Sequence, residues 1–398
     1  MYFYDTCALL NMQDDAFKEH FIISGVTLKE LESIKTSANK DVAVKAKARN
    51  MTRLLFANRD MYEATSTDST DDTPNDIKII QDACWHKDSI FVTDDLSCYN
   101  IAKNLARLNV CTTADLKNTE EYTGYKEIVL SDEALAKVYE HPDHSPTPLL
   151  QNEYLIIKNS GGEIVDLMKW DGSKLVKATS SKVKSNELGT ISPLHNDIYQ
   201  KMLLDSFNSH RITMARGAAG TGKTYLALGY LFSLLDKRKI DKIIVFCNTV
   251  PTMNSAKIGF LPGTRDEKLL ESSVGNMLSA KLGDKFRVEQ LINERKLELL
   301  PLCDVRGYDT TNMNAGILIS EAQNMDISLM KLVLQRIGED SICIIDGDYN
   351  AQVDDASFAG TNNGMKRTSE VFRGTEVYGE VTLRNIYRSR IAQIAEEM

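Results

Sequence analysis

Eight consecutive residues carry the strongest chemical signal in the chain. Gly217, Ala218, Ala219, Gly220, Thr221, Gly222, Lys223 and Thr224 fit G-x-x-x-x-G-K-[ST], in which glycines let successive backbone N–H groups curl around an anion. In that pattern Lys223 reaches the β- and γ-phosphates of a nucleotide, and Thr224 holds Mg²⁺. The flanks agree. Residues 212–215 read as a short buried strand, and 225–236 as a helix with Leu226, Tyr230, Leu231, Leu234 and Leu235 on one face. The start of that helix adds its positive dipole end.

Hydrolysis needs more than phosphate binding. The apolar run Ile317-Leu-Ile ends in Ser320-Glu321, and a carboxylate at a strand end can orient an attacking water. The aspartate usual before that glutamate is Ser320 here, which can hydrogen-bond a Mg²⁺ water but adds no charge. Asp346 or Asp348, at the end of the next strand, is a candidate to supply the charge. Asp346-Gly-Asp348 with Gln352 resembles a nucleotide-sensing segment, in which an amide meets the γ-phosphate. Gln200, in an apolar-patterned segment before the loop, can read the adenine edge.

A second set of acids lies near the N-terminus. Asp5 ends one strand pattern, Asp94 and Asp95 end another, Glu30 sits one turn into a helix starting near Thr27, and Asp76 opens a further helix. Carboxylates at strand ends on one sheet edge converge on one crevice. Like charges there raise one another's pKa unless cations such as Mg²⁺ or Mn²⁺ neutralise them. One or two such ions activate water for phosphodiester cleavage. Each acid also has a plainer reading: Thr27-x-x-Glu30 is a capping box, Asp76 or Asn75 an N-cap, and Asp94 and Asp95 turn residues.

The pattern of the chain predicts the strands and helices that hold these groups in place. Its 398 residues suffice for two or three domains. Residues 1–122 alternate short apolar strands with helical patterns, which predicts a parallel α/β sheet, interrupted by the polar loop 65–76. Residues 123–190 carry turn signals at 159–162 and 170–173 and predict a small antiparallel β module, with linkers at 141–148 and 180–187. Residues 191–398 return to α/β and predict a single RecA-like sheet. No apolar run reaches membrane-spanning length, and the N-terminus lacks a signal-peptide layout. An odd set of seven cysteines without a C-x-x-C pair fits a reducing cytoplasm, which would be the host's if the chain is virus-encoded. The net charge of −9 argues against a generally basic surface, yet a local basic channel for nucleic acid is compatible with it.

The phosphate loop, Ile258-Gly-Phe-Leu-Pro-Gly263, Arg306-Gly307, Ser320-Glu-Ala-Gln-Asn324, Gln335-Arg-Ile-Gly-Glu339 and Gly347-Asp348 with Gln352 resemble the PhoH-like ATPases in order and spacing across 191–398. The departures are Ser320 for aspartate, Asn248 for arginine, and a Gln352 one residue further from Gly347. Asp5, Glu30-Leu31, Asp76 and Thr93-Asp-Asp95 resemble the PIN ribonuclease pattern over 1–122, with Asp95 the closer match of its pair and Thr93 placed to hold a metal-bound water. The resemblance as a whole is to PIN–PhoH fusions. It implies ATP and Mg²⁺ as cofactors, a hexameric ring of like subunits, single-stranded RNA (or DNA) as partner, and ATP-dependent unwinding joined to metal-dependent ribonuclease activity. With one sheet per subunit, an arginine finger comes from a neighbour, and Arg336 and Arg388 are the candidates. Phe260 and Lys257 are candidate strand-gripping residues. The alternatives are a nucleotide-gated ribonuclease without translocation and a nucleotide-dependent nucleic-acid-binding scaffold.

Overall fold

In this computed structural model, residues 1–37, 40, 42–66, 72–116, 122–179, 182–247, 273–349 and 362–387 are described. The chain divides into two compact units, Met1–Glu121 and Tyr122–Met398.

The first unit is built on five short strands: β1 (Tyr2–Tyr4), β2 (Phe21–Ser24), β3 (Tyr62–Thr65), β4 (Ile90–Val92) and β5 (Asn109–Cys111). All pair in parallel in the order β3-β2-β1-β4-β5. Helices α1 (Thr6–Met12), α2 (Gly25–Thr36), α3 (Val42–Ala57), α4 (Asn75–Cys84), α5 (Leu96–Asn100) and α6 (Thr113–Leu116) accompany them. Parallel strands are covered on both faces, which is why β2 reads Phe-Ile-Ile-Ser and is buried throughout. Separate apolar clusters lie on the two sides, one around Tyr4, Leu9, Phe21 and Met51, the other around Phe3, Ile79 and Phe91. Strand β1 is central, with β2 and β4 on either side, so a crevice opens beyond its carboxyl end. Strand β3 has no clear signal in the sequence because its residues, Tyr-Glu-Ala-Thr, form an edge and stay partly exposed.

The second unit opens with β6 (Tyr125–Val129), α7 (Asp132–Glu140), β7 (Tyr154–Lys158), β8 (Ile164–Trp170) and β9 (Leu175–Lys177). The module is not purely antiparallel. Helix α7 carries the chain back so that β6 and β7 pair in parallel, while β7–β8 and β8–β9 are antiparallel hairpins. The expected linker at 180–187 contains β10 (Val183–Ser185), which pairs with β11 (Gly189–Ile191).

This module shares its core with the next two helices of the chain. Tyr154, Ile156, Val183 and Ile191 pack in one cluster with α8 (Ile198–Ser209) and α9 (Lys223–Asp236). At Gly229 of α9 a Cβ would lie 1.9 Å from Ile191 Cδ1, so glycine lets β11 approach the helix. Polar anchors add to this. Asp205 of α8 accepts from Tyr154 Oη at 2.8 Å, Lys169 Nζ at 2.9 Å and Thr179 N at 2.8 Å. Asn152 Nδ2 donates to the carbonyls of Thr375 and Tyr378, each at 2.9 Å.

The large sheet comprises β12 (Ile212–Arg216), β13 (Lys242–Cys247), β14 (Leu297–Pro301), β15 (Ala315–Ile319), β16 (Ile342–Gly347) and β17 (Tyr378–Thr382). All six are parallel, in the order β14-β13-β15-β16-β12-β17. Helix α9 lies on one face and buries Leu226, Tyr230, Leu231 and Leu234, each contributing about 1.5–3 kcal/mol.

Replacing Asp205 by alanine leaves the Lys169 ammonium buried with, among the described residues, only the Ser209 hydroxyl as hydrogen-bond acceptor. Breaking such a pair costs about 3–5 kcal/mol. Urea denaturation of full-length Asp205→Ala should show a loss of this size; an unchanged midpoint would mean the network does not hold the module.

Candidate functional site

The phosphate loop leaves the carboxyl end of β12 and enters α9. Gly217, Gly220 and Gly222 have φ of 134°, 88° and 94°, conformations that an L side chain adopts only under strain. Thr221 Oγ1 donates to Ala218 O at 3.0 Å and tightens the loop. Lys223 Nζ lies within it, donating to Ala218 O at 2.9 Å and to Gly217 O. Thus Lys223 is held by loop carbonyls that a phosphate can replace as acceptor. Gln200 is buried behind the loop, where its amide donates to Thr221 O at 3.0 Å and accepts from Leu194 N at 2.8 Å.

Strand order then decides which carboxylates face Lys223. Strand β16 lies between β12 and β15, and its register puts Asp346 level with Ala215. On its other side Ile345 is level with Ile319, so Asp346 is also beside Ser320. Asp346 is buried, and burial raises its pKa; Thr224, Lys223 and Ser320 pull it down, while Glu321 adds to the rise. Its Oδ1 accepts from Glu321 N at 3.1 Å, and its Oδ2 is buried without a hydrogen-bond partner among the described residues. An orphaned carboxylate oxygen beside the Thr224 hydroxyl is suited to a hard divalent cation. The residues present therefore fit Mg²⁺, with Asp346 supplying the negative charge that Ser320 lacks.

Glu321 follows β15 in a left-handed conformation, φ 54° and ψ 40°. A non-glycine residue there is uncommon and strained. Gln323 secures it: its Nε2 donates to Glu321 Oε2 at 2.6 Å, and its Oε1 accepts from Asp348 N at 3.3 Å. Asn363 in turn donates to Gln323 O at 2.8 Å. The sequence offered Gln323 only as part of a motif. Its role as a clamp depends on residues 25 and 40 positions away.

In the first unit, Asp5, Glu30, Asp76 and Asp95 line one cleft of about 600 Å³, with Lys29, Lys40 and Lys78 also on its walls. Asp5 caps α1 and is buried, which raises its pKa. Cys7, Thr93 and Thr6 N lower it, and Glu30 raises it further. The Asp5 carboxylate accepts from Thr93 Oγ1 at 2.8 Å and Cys7 Sγ at 3.0 Å. Beside these carboxylates the Cys7 thiol is pushed up to about 12, first by burial and then by Asp5. Asp76 is raised by burial and then by the charges of Asp5, Glu30 and Asp95. No three His, Cys, Asp or Glu side chains meet at one ion-sized point among the described residues.

Two of the plainer readings are removed. Helix α2 begins at Gly25 with Ser24 as its cap, so Thr27 and Glu30 form no capping box. Glu30 instead accepts from Thr6 Oγ1 and from Asn75 Nδ2, the latter at 2.9 Å. Helix α4 has no side-chain cap, so neither Asn75 nor Asp76 serves as one. Asp95 does cap α5, accepting from Cys98 N at 2.8 Å. Asp94 accepts from Thr113 N at 2.8 Å and Asn11 Nδ2 at 2.8 Å, contacts that hold α6 and α1. Arg336 sits in the turn after the helix Ile327–Leu334, not on it, and its Nε is buried without a partner among the described residues. Gln352, Arg388, Lys257, Phe260 and Asn248 lie outside the described residues.

Gln323→Ala should lower kcat for phosphate release roughly 10- to 100-fold with little change in KM, because it loosens Glu321 without touching the loop. Equal loss in KM would place Gln323 in substrate binding instead. Asp76→Asn should raise the melting temperature near neutral pH. A raised carboxyl pKa means stability that is complete below the unfolded value and lost as pH rises through the folded one. The gain should therefore vanish on acidification, and a gain at every pH would exclude the charge as its cause.

Residues 191–398 match the family model described as PhoH-like protein. Protein PhoH2 of Thermobispora bispora is 27% identical over 320 residues, 78% of this chain and 70% of that protein. Protein PhoH2 of Bacillus subtilis is 28% identical over 299 residues, 71% of this chain and 65% of that protein. A PhoH-like protein of Mycobacterium bovis is 29% identical over 211 residues, 51% of this chain and 56% of its own length. The first two alignments cover more of this chain than 191–398 alone, so both reach into the residues before 191. With its phosphate loop, the six-stranded parallel sheet that carries it and a match across more than half its length, the chain belongs to the PhoH-like protein family of P-loop, ATPase-type proteins.

Proposed function

We propose that the chain hydrolyses ATP to move along and unwind single-stranded RNA, and that its N-terminal unit cleaves RNA with the aid of bound Mg²⁺ or Mn²⁺. The ATPase part is carried by one observation: β16 sets the orphaned Asp346 oxygen between the phosphate loop and the strand that delivers Glu321. Lys223 exchanges the carbonyls of Gly217 and Ala218 for phosphate oxygens. Thr224 and Asp346 would hold Mg²⁺, whose charge would offset that developing on the phosphates. Glu321, fixed by Gln323, orients the attacking water and takes its proton.

The nuclease part draws its support from the gathering of Asp5, Glu30, Asp76 and Asp95 around one cleft, where burial and then the other three carboxylates raise the pKa of Asp76. Their oxygens are of the type that Mg²⁺ or Mn²⁺ prefers, and such an ion would supply an activated water for phosphodiester attack. Thr93 orients Asp5, and Asn75 orients Glu30. A ring of subunits completes the mechanism. One sheet offers no second lobe to close over the γ-phosphate, so an arginine such as Arg336 or Arg388 would act on a neighbour's nucleotide.

Lys223→Ala and Glu321→Gln should each reduce ATP hydrolysis by at least about 100-fold and abolish strand displacement. Asp5→Asn should abolish Mn²⁺-dependent RNA cleavage and leave ATP hydrolysis intact. Labelled RNA and DNA, incubated with the pure protein with and without ATP and each metal, test these outcomes. Phosphate release unaffected by both P-loop-domain substitutions would favour a binding scaffold. Cleavage that depends on ATP without directional displacement would favour a nucleotide-gated nuclease.

A further inference from the structure

Two segments far apart in sequence, 194–197 and 383–387, meet beside the phosphate loop. The second is a strap tied down at three points. Leu383 N donates to Arg216 O at 2.8 Å, and a Cβ at Gly217 would lie 2.4 Å from Leu383 O, so glycine at 217 admits the strap. The Arg384 guanidinium lies 5.3 Å from the Tyr125 ring and 5.8 Å from the Tyr199 ring, and Nη1 is 3.4 Å from Glu127 Oε1. Tyr387 N donates to Gly220 O at 2.9 Å, inside the loop itself.

The first segment is fixed from the other side. Gln200 ties Leu194 N to Thr221 O. His195 and Asn196 come next with φ of 46° and 63°, two successive non-glycine residues in the left-handed region. This turns the His195 ring onto the Tyr387 ring, with centroids 6.0 Å apart and 28° between planes. Tyr387 Oη donates to Asp197 Oδ2 at 2.8 Å and locks the pair. His195 is exposed and Tyr387 partly so, and neither belongs to a core cluster.

We infer that His195 and Tyr387 form the stacking platform for the base of a nucleoside triphosphate held at the phosphate loop, an inference that rests on the nucleotide-binding reading of that loop. The triphosphate is gripped by backbone N–H groups and Lys223, which leaves the nucleoside to find its own contacts beside the loop. An aromatic pair anchored to the loop through the Tyr387 backbone N–H is positioned for this. Stacking accepts any base, because every base has a π-face. The platform therefore supports purine nucleotides without distinguishing them. Gln200 acts as a positioning residue, since both ends of its amide are engaged by protein.

The test is calorimetric titration of the full chain with ATP, GTP and inorganic tripolyphosphate, each with Mg²⁺. Tyr387→Ala and His195→Ala should weaken ATP and GTP about tenfold and leave tripolyphosphate unchanged. Tyr387→Phe keeps the ring and loses the hydrogen bond to Asp197; it should stay within about twofold of the native protein. Unchanged ATP affinity in both alanine variants would overturn the platform. So would an equal loss for tripolyphosphate, which would mean the loop itself was disturbed. So would a Phe variant as weak as the Ala variant, which would make the hydroxyl rather than the ring the important group. Native protein that binds none of the three probes would instead sink the nucleotide reading, and the platform with it.

Discussion

Burying a carboxylate in a parallel sheet without pairing both its oxygens costs several kcal/mol, and among the described residues the C-terminal unit does this at Asp346. The arrangement around that group reflects the cost. Lys223 and the hydroxyls of Thr224 and Ser320 crowd it and lower its pKa, and the Glu321 backbone N–H satisfies one oxygen. Glu321 adopts a left-handed backbone to place that N–H, and Gln323 then restrains its side chain. Strain and unmet charge thus accumulate at one point, the mouth of the phosphate loop. A cation and a triphosphate are the ligands that would relieve them.

The 122–190 region takes part in this arrangement. Its strands share an apolar core with α8 and α9, and Asp205 and Asn152 make the contact specific. Helix α8 carries Gln200 to the back of the loop. Strand β6 carries Tyr125 and Glu127 to the strap that crosses the front. The module therefore acts as a brace for the loop. This explains why it clusters with the large sheet as one unit rather than standing apart.

The acids of the N-terminal unit separate by their partners. Asp5, Glu30 and Asp76 share a cleft, and their pKa directions or hydrogen bonds connect them. Asp95 lines the same cleft while capping α5. Asp94, its sequence neighbour, turns to Thr113 and Asn11, because successive side chains leaving a strand point apart. Asn75 was visible in the sequence only as a rival cap, yet it holds Glu30 across 45 residues.

Elements with a local signal were legible from residue order. The phosphate loop needs glycines at fixed spacing, buried parallel strands need runs of branched apolar residues, and helix α9 needs a 3.6-residue stripe. Each of these is written within a dozen or so residues. Weak edges such as β3, and the supposed linker that proved to be β10, escaped because their pairing depends on a neighbouring strand rather than on their own composition. Packing of the folded chain settled that Asp346 stands between Ser320 and the loop, that Thr27 caps nothing, and that Tyr387 reaches Gly220. Strand order and register set those contacts. They arise from how whole elements pack, and residue spacing along the chain carries no record of them.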